Sequence, residues 1–350
     1  MPFSINYLSA LINETYGKVI VDNVFTKDHY LTKVLMDRAE TFNGKTIHTA
    51  LEYGENDQIQ ETGRGDTISY AFTDTETAAR YGNKMLTGTI SLPLEDTLED
   101  MNKDAIVKMM KHKSKNAEKS LKKYFAGVLW ERVNASTGAL PRTKMWNNLD
   151  YFVNNLDEAV GGVEDTDTSA APSWWKSPIL KSTSFTGNIT LEADLVDPTK
   201  DTYLPKIFAR MSAKSQFRDG DKIIMLPQYL WDLYEGILDE KRTGDKFSTR
   251  VGNAGFNALK WRGEEFAVIG SNDASRAQSS DTDGRIYMLN LDYLYMYFNS
   301  NAKFKVGEFK ELENINAYGA KTHVFGNLAC SNRASQVAVH GIYSPTDYSI

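Results

Sequence analysis

The stretch from Glu95 to Val133 constrains the fold of this chain most, because it runs without an internal proline and with one late glycine, Gly127. Within it Leu98, Met101, Ala105, Met109, Ala117, Leu121, Phe125 and Val128 fall near three-to-four spacing, weakening at His112 to Asn116. That is the period of an amphipathic helix. Its early turns carry Glu95, Asp96, Glu99, Asp100 and Asp104, and its later part carries Lys108, Lys111, Lys113, Lys115, Lys119, Lys122 and Lys123, the order that complements a helix dipole. A single helix over 95–133 would span roughly 58 Å at about 1.5 Å per residue. A compact domain does not comfortably wrap so long a rod; the plain alternative is a long solvated surface helix.

The segment before it has the opposite character. Residues 4–43 read as a polar arm with short amphipathic pieces at Asn6 to Leu11 and Tyr30 to Ala39, too poor in apolar residues for a core of its own. Ile47, Thr49, Leu51 and Tyr53 then alternate with polar neighbours, as do Ile68, Tyr70 and Phe72, the period of strands. A polar, glycine-punctuated loop from Gly54 to Asp66 separates them. These residues predict a long hairpin with almost nothing to bury it, followed by a third strand from Met85 to Leu94.

After the turn-rich stretch at 134–138 the elements become short and mixed. Leu149 to Val160 reads as a helix ending at Gly161-Gly162. Lys222 to Leu226 reads as a buried strand, Pro227 as the start of a helix over Gln228 to Leu238, and Phe266 to Ile269 as another strand. Glu164 to Ala171 is an acidic surface loop, Arg285 to Phe298 alternates and is aromatic-rich, and Lys321 to Ile342 reads as two extended strands around a polar turn. The fold class expected is α+β, with a second domain beginning near residue 143.

Composition excludes several classes. At 350 residues, with 41% hydrophobic and 25% charged, the chain is an ordinary globular one, large enough for one large domain or two intertwined ones. It has no apolar run long enough to span a bilayer and no basic-then-apolar leader, so a soluble, unexported chain is expected. A lone cysteine, Cys330, forms no internal disulfide. The formal charge of −6 argues against a sequence-reading DNA-binding protein, although the lysine-rich part of the helix, opposed only by Glu118, is suited to sequence-independent phosphate contact. A solvated helix face explains it equally well.

No motif predicts chemistry. Asn43-Gly44-Lys45-Thr46 ends like a phosphate-binding loop, yet Ala39 stands where its first glycine belongs. Ser279 to Asn290 echoes a calcium loop without its first carboxylate or closing glutamate. His29, His48, His112, His323 and His340 are scattered, and no Gly-x-Ser-x-Gly elbow accompanies a triad. Hence no catalytic residue, cofactor or metal is expected, and the chain is read as a non-enzyme.

The order of parts resembles the major capsid protein of tailed bacteriophages, the Hong Kong 97-type fold. The resemblance rests also on Asn116-Ala117-Glu118-Lys119-Ser120-Leu121, on Ala159-Val160-Gly161-Gly162-Val163 followed by Ser173-Trp174-Trp175-Lys176, and on Gly326-Asn327-Leu328-Ala329-Cys330-Ser331-Asn332-Arg333. It implies an N-terminal arm at 1–42, an extended loop and flanking strand at 43–94, a peripheral domain with a spine helix at 95–142, an axial domain at 143–313 and peripheral return strands at 314–350. The function it implies is self-assembly, as hexamers and pentamers, into an icosahedral head around double-stranded DNA, formed in the bacterial host cytoplasm. It implies a hairpin tip at Gly63, Arg64 and Gly65 lying across a neighbouring subunit, and Lys108, Lys111, Lys115, Lys119 and Lys122 facing inward to DNA. A portal and a separate scaffolding protein, or a precursor already cut, are further implications. Lysine-to-asparagine crosslinks between Lys45 or Lys84 and Asn327 or Asn332 are not expected. The rival within the fold is an encapsulin-like compartment; outside it, a soluble enzyme or a decoration or tail protein.

Overall fold

The computed structural model describes residues 30–55, 58–68, 74–93, 103–130, 146–153, 160–164, 172–186, 188–215, 220–241, 260–262, 264–269, 284–303, 305–312 and 315–342. The arm before Tyr30, the acidic loop beyond Glu164 and the first half of the calcium-like stretch lie outside them.

Two six-stranded sheets organise the described residues. The first is built on one long strand, β13 (Ala317–Cys330), whose first ten residues pair antiparallel with β4 (Lys84–Pro93) and whose last five pair with β10 (Leu294–Phe298). The two-residue strands β1 (Glu40–Thr41), β11 (Lys305–Val306) and β12 (Lys310–Glu311) complete it. The second sheet has the order β5-β14-β9-β6-β8-β7, from Ile179–Leu180, Val337–Ile342, Gly284–Asn290, Lys222–Pro227, Glu264–Ile269 and Lys260–Trp261 respectively. Its strand β6 is buried at every residue, as its unbroken apolar run requires when both faces of a sheet are covered.

One face of that second sheet, with Ile224, Leu226, Phe266 and Met288, packs against helices α5 (Leu204–Lys214) and α6 (Gln228–Lys241). Its other face, with Ile223, Met225, Ala267 and Leu289, enters a core that continues into the first sheet through Met296, Phe298, Val324 and Leu328. The two sheets therefore share one core. Among the described residues the chain also passes between them three times: from β4 to β5 over the span that carries the long helix, from β9 to β10 directly through Leu291–Tyr293, and from β13 to β14 directly through residues 331–336. Arg285 to Phe298 is thus two strands of different sheets, and the two strands read in Lys321 to Ile342 are not partners. Residues 143–313 and 314–350 each supply strands to both sheets.

Three helical or strand readings are corrected, and the long helix is delimited within the described residues. Helix α1 (Tyr30–Asp37) lies within the amphipathic piece of the arm and buries Tyr30, Leu31 and Leu35, so this part of the arm belongs to the core. The long helix α2 is Lys103–Leu129, about 40 Å; Trp130 already turns, its N–H bonded to the Gly127 carbonyl at 3.2 Å. Its residues before 103 and after 130 lie outside the described region. Helix α3 covers only Leu149–Phe152 before Val153 bends away, and α4 is a short turn at Glu192–Val196. The strand paired residue for residue with β2 (Thr46–Glu52) is β3 (Glu76–Gly82); of the strand expected there, Ile68 is in no strand and Tyr70 and Phe72 lie outside the described residues. Asn43-Gly44-Lys45 leads into β2 and not into a helix, with Ser300 Oγ donating to Asn43 Oδ1 at 2.8 Å.

Candidate assembly surfaces

The hairpin has two unlike halves. At its foot Ile47, Leu51, Ala79 and Tyr81 are buried in the shared core, which corrects the expectation that its strands bury almost nothing. Tyr81 stands edge-on to Phe152 with ring centroids 5.7 Å apart. Burial above all, then Cys330 and Tyr151, pushes its phenol well above the ordinary tyrosine pKa. Beyond Tyr53 the chain leaves the core: Ile59 is 87% and Ile68 50% exposed. The expected tip residues Gly63, Arg64 and Gly65 are exposed together in a turn. Gly65 has φ +97, a left-handed conformation that glycine alone adopts without strain. Asp66 closes the turn by accepting from the Gly63 N–H. Among the described residues Arg64 has no ion-pair partner.

Helix α2 carries the second expected surface. Leu121, Phe125, Val128 and Leu129 face the shared core, and Met110 joins Ile90, Leu92, Phe309 and Ala320 in a smaller cluster under β4. Phe125 stands nearly perpendicular to Trp146 at 4.9 Å between centroids. Lys108, Lys111, Lys115, Lys119 and Lys122 follow one another every three or four residues, a stripe on the flank of the apolar face. Lys115, Lys119 and Lys122 are exposed and Lys111 is half-buried; the Lys108 side chain lies outside the described set. Lys122 pairs with Glu118 at 2.8 Å. Lys113 departs from the stripe and donates to the Ser91 carbonyl of β4 at 3.2 Å, so it ties the helix to the sheet. Among the described residues nothing brings the tip and the stripe together within one chain.

Sequence periodicity missed a buried polar seam around the crossing from β13 to β14. Asn147 N–H donates to Asn327 Oδ1 at 2.9 Å, Asn147 Nδ2 to the Leu328 carbonyl at 2.9 Å, and Asn327 Nδ2 to the Gly82 carbonyl at 2.7 Å. Gln336 exchanges two hydrogen bonds with the Asn290 backbone, at 2.9 and 3.0 Å. Arg333, 1% exposed, donates from Nε to the Phe152 carbonyl at 2.9 Å. Nearby, the Trp175 indole donates to the Val160 carbonyl at 2.9 Å, which links the two halves of a segment singled out in the sequence. Buried polar groups are tolerated when they are paired in this way. Asn327 is fully buried, its side-chain amide accepting from Asn147 and donating to the Gly82 carbonyl. Cys330 is buried as well, and burial pushes its thiol up to about 12.

Among the described residues no group of three or more His, Cys, Asp or Glu could hold a metal ion, and no helix is long and apolar enough to cross a membrane. The chain has the Hong Kong 97-type capsid fold. It superposes on a chain of the cyanophage A-1(L) capsid with a TM-score of 0.59 at 13% identity, covering 94% of this chain and 98% of that one. The capsid of the Myoviridae phage XM1 gives 0.53 at 10% identity, covering 98% and 99%. The holo-SrpI encapsulin complex of Synechococcus elongatus gives 0.53 at 9% identity, covering 98% of each. No protein-family model and no curated protein matches the sequence.

Proposed function

We propose that the chain is the major capsid protein of a tailed phage, assembling as hexamers and pentamers into an icosahedral head around double-stranded DNA. The observation that carries this reading is the end-to-end match of fold with capsid chains, nearly complete on both sides. The role is structural and not enzymatic. Many copies meet through heterologous contacts that close into rings, and curvature closes the rings into a shell. In this reading the hairpin beyond Tyr53 lies across a neighbouring copy, where Ile59 and Ile68 lose their contact with water. The stripe from Lys108 to Lys122 faces the packaged genome and offsets phosphate charge that an acidic shell would repel. A scaffolding protein and a portal complete the assembly in the host cytoplasm.

The encapsulin match supports a second reading, a protein shell that encloses an enzyme. Electron microscopy and sedimentation of the expressed chain, alone and with a co-expressed scaffolding protein, test both. Capsomers or shells are expected; a stable monomer or small oligomer under all conditions overturns either reading. Double-stranded DNA enclosed in wild-type particles supports the capsid reading and an enclosed enzyme the second; charge reversal at Lys111, Lys115 and Lys119 then tests the stripe. Particles formed in the host are expected to retain less DNA, and unchanged retention removes the DNA-facing role of the stripe.

A further inference from the structure

A cleft of about 900 Å³ opens between the foot of the hairpin, the outer face of β10 and the loop bearing Trp174. Its wall holds the carboxylates of Glu40, Glu52 and Glu55 against one histidine, His48, and no lysine or arginine. It is also aromatic. Tyr53 stacks on Trp174 with centroids 5.4 Å apart and planes 18° from parallel, and Tyr295 and Tyr297 stand on the open face of β10 with centroids 6.3 Å apart. Burial first, and then the Glu40 carboxylate it bonds, raises the Tyr297 phenol above its ordinary pKa, so the phenol stays a neutral donor beside that carboxylate. Two hydroxyls of the wall, on Thr49 and Ser331, are buried without a hydrogen-bond partner. Carboxylates beside flat aromatic faces suit a guanidinium better than an ammonium, because arginine both forks onto a carboxylate and stacks on a ring.

Among the described residues Arg38, Arg64, Arg80 and Arg262 are exposed; Arg38 pairs with Asp221, Arg262 lies over its neighbour Trp261 and Arg80 stands opposite His48 at the hairpin foot, so Arg64 is the exposed guanidinium at the far end of the hairpin. Arg64 projects from a turn flanked by Gly63 and Gly65, where no Cβ broadens the tip. The same turn does not line its own chain's cleft. We propose that the Arg64 tip of one copy docks in the cleft of a second copy, its guanidinium held by Glu52 and Glu40 over the Tyr53–Trp174 stack. This rests on the shell reading above and names the contact through which the hairpin engages its neighbour. Because tip and cleft are different surfaces, the contact is heterologous and propagates around a ring.

The test uses the full chain. Arg64→Glu is expected to lower the yield of capsomers or shells at least tenfold by sedimentation, with the circular dichroism spectrum and urea midpoint of the unassembled chain unchanged. Adding Glu52→Arg to Arg64→Glu is expected to restore most of the yield. In a Cys330→Ala background, cysteines at Arg64 and Glu55 together are expected to give a disulfide ladder beyond dimer on a non-reducing gel, where either alone stops at dimer. Wild-type yield from Arg64→Glu, failure of the charge swap, or a disulfide confined to the monomer overturns the contact while leaving the shell reading intact. A wild-type chain that never assembles overturns the shell reading, and this contact with it.

Discussion

The Tyr81 hydroxyl donates to the Cys330 carbonyl at 2.8 Å across 249 residues of sequence. The bond fixes the foot of the hairpin to the last residue of β13, at the point where the chain leaves the first sheet for the second. Tyr81→Phe keeps the ring in its place against Phe152 and leaves a buried carbonyl with one partner fewer. A loss of about 1 to 2 kcal/mol is expected, read as a lower urea midpoint at unchanged m-value.

Phe125 fills the junction of α2, Trp146 and Phe298. Phe125→Ala opens a cavity that these rings cannot collapse to fill. The expected cost is about 3 to 5 kcal/mol. Phe125→Leu is expected to recover most of it, by thermal unfolding.

Gly326 lies where β13 passes from β4 to β10. A Cβ there would stand 1.9 Å from the Tyr297 carbonyl oxygen, which is backbone and has no rotamer to change. Gly326→Ala must push β10 and β13 apart, and a loss of about 3 kcal/mol is expected. Most of the product should be insoluble on expression.

Cys330 should be inert. Its thiol, pushed up to about 12 by burial, stays protonated in the folded chain at pH 8 to 9, whereas an unfolded cysteine ionises near about 8.5. A thiol reagent at pH 8 is expected to label it only as fast as the chain unfolds. The folded state holds its proton where the unfolded state has lost it, so this group removes stability as pH rises from about 8.5 toward 12.

Elements whose own residues specify them were legible in the sequence: α2 from its apolar spacing, β2 from its alternation, β6 from its unbroken apolar run. The strand β3 was not. Glu76-Thr77-Ala78-Ala79-Arg80-Tyr81-Gly82 has little strand character, and its conformation comes from pairing with β2 and from burying Ala79 and Tyr81. Ile68, Tyr70 and Phe72 alternate better, yet Ile68 is half exposed and outside any strand. The exchange of β9–β10 and β13–β14 between sheets leaves no periodic mark either, since each strand alone looks the same in either sheet. The tip residues were marked by their glycines. The cleft was visible only as an aromatic alternation at Tyr293, Tyr295 and Tyr297, because its other wall comes from residues more than a hundred positions away.

The hairpin strand β3 runs through Asn83 into β4 with hardly a break, and β4 is bound along its whole length to β13. Ladder bonds lie across the strands. A pull on the hairpin, directed along that axis, therefore loads the β4–β13 bonds in shear, all at once, and cannot unzip them singly. The hairpin is anchored as a tie rod, and tension applied at its far end is delivered to the middle of the first sheet.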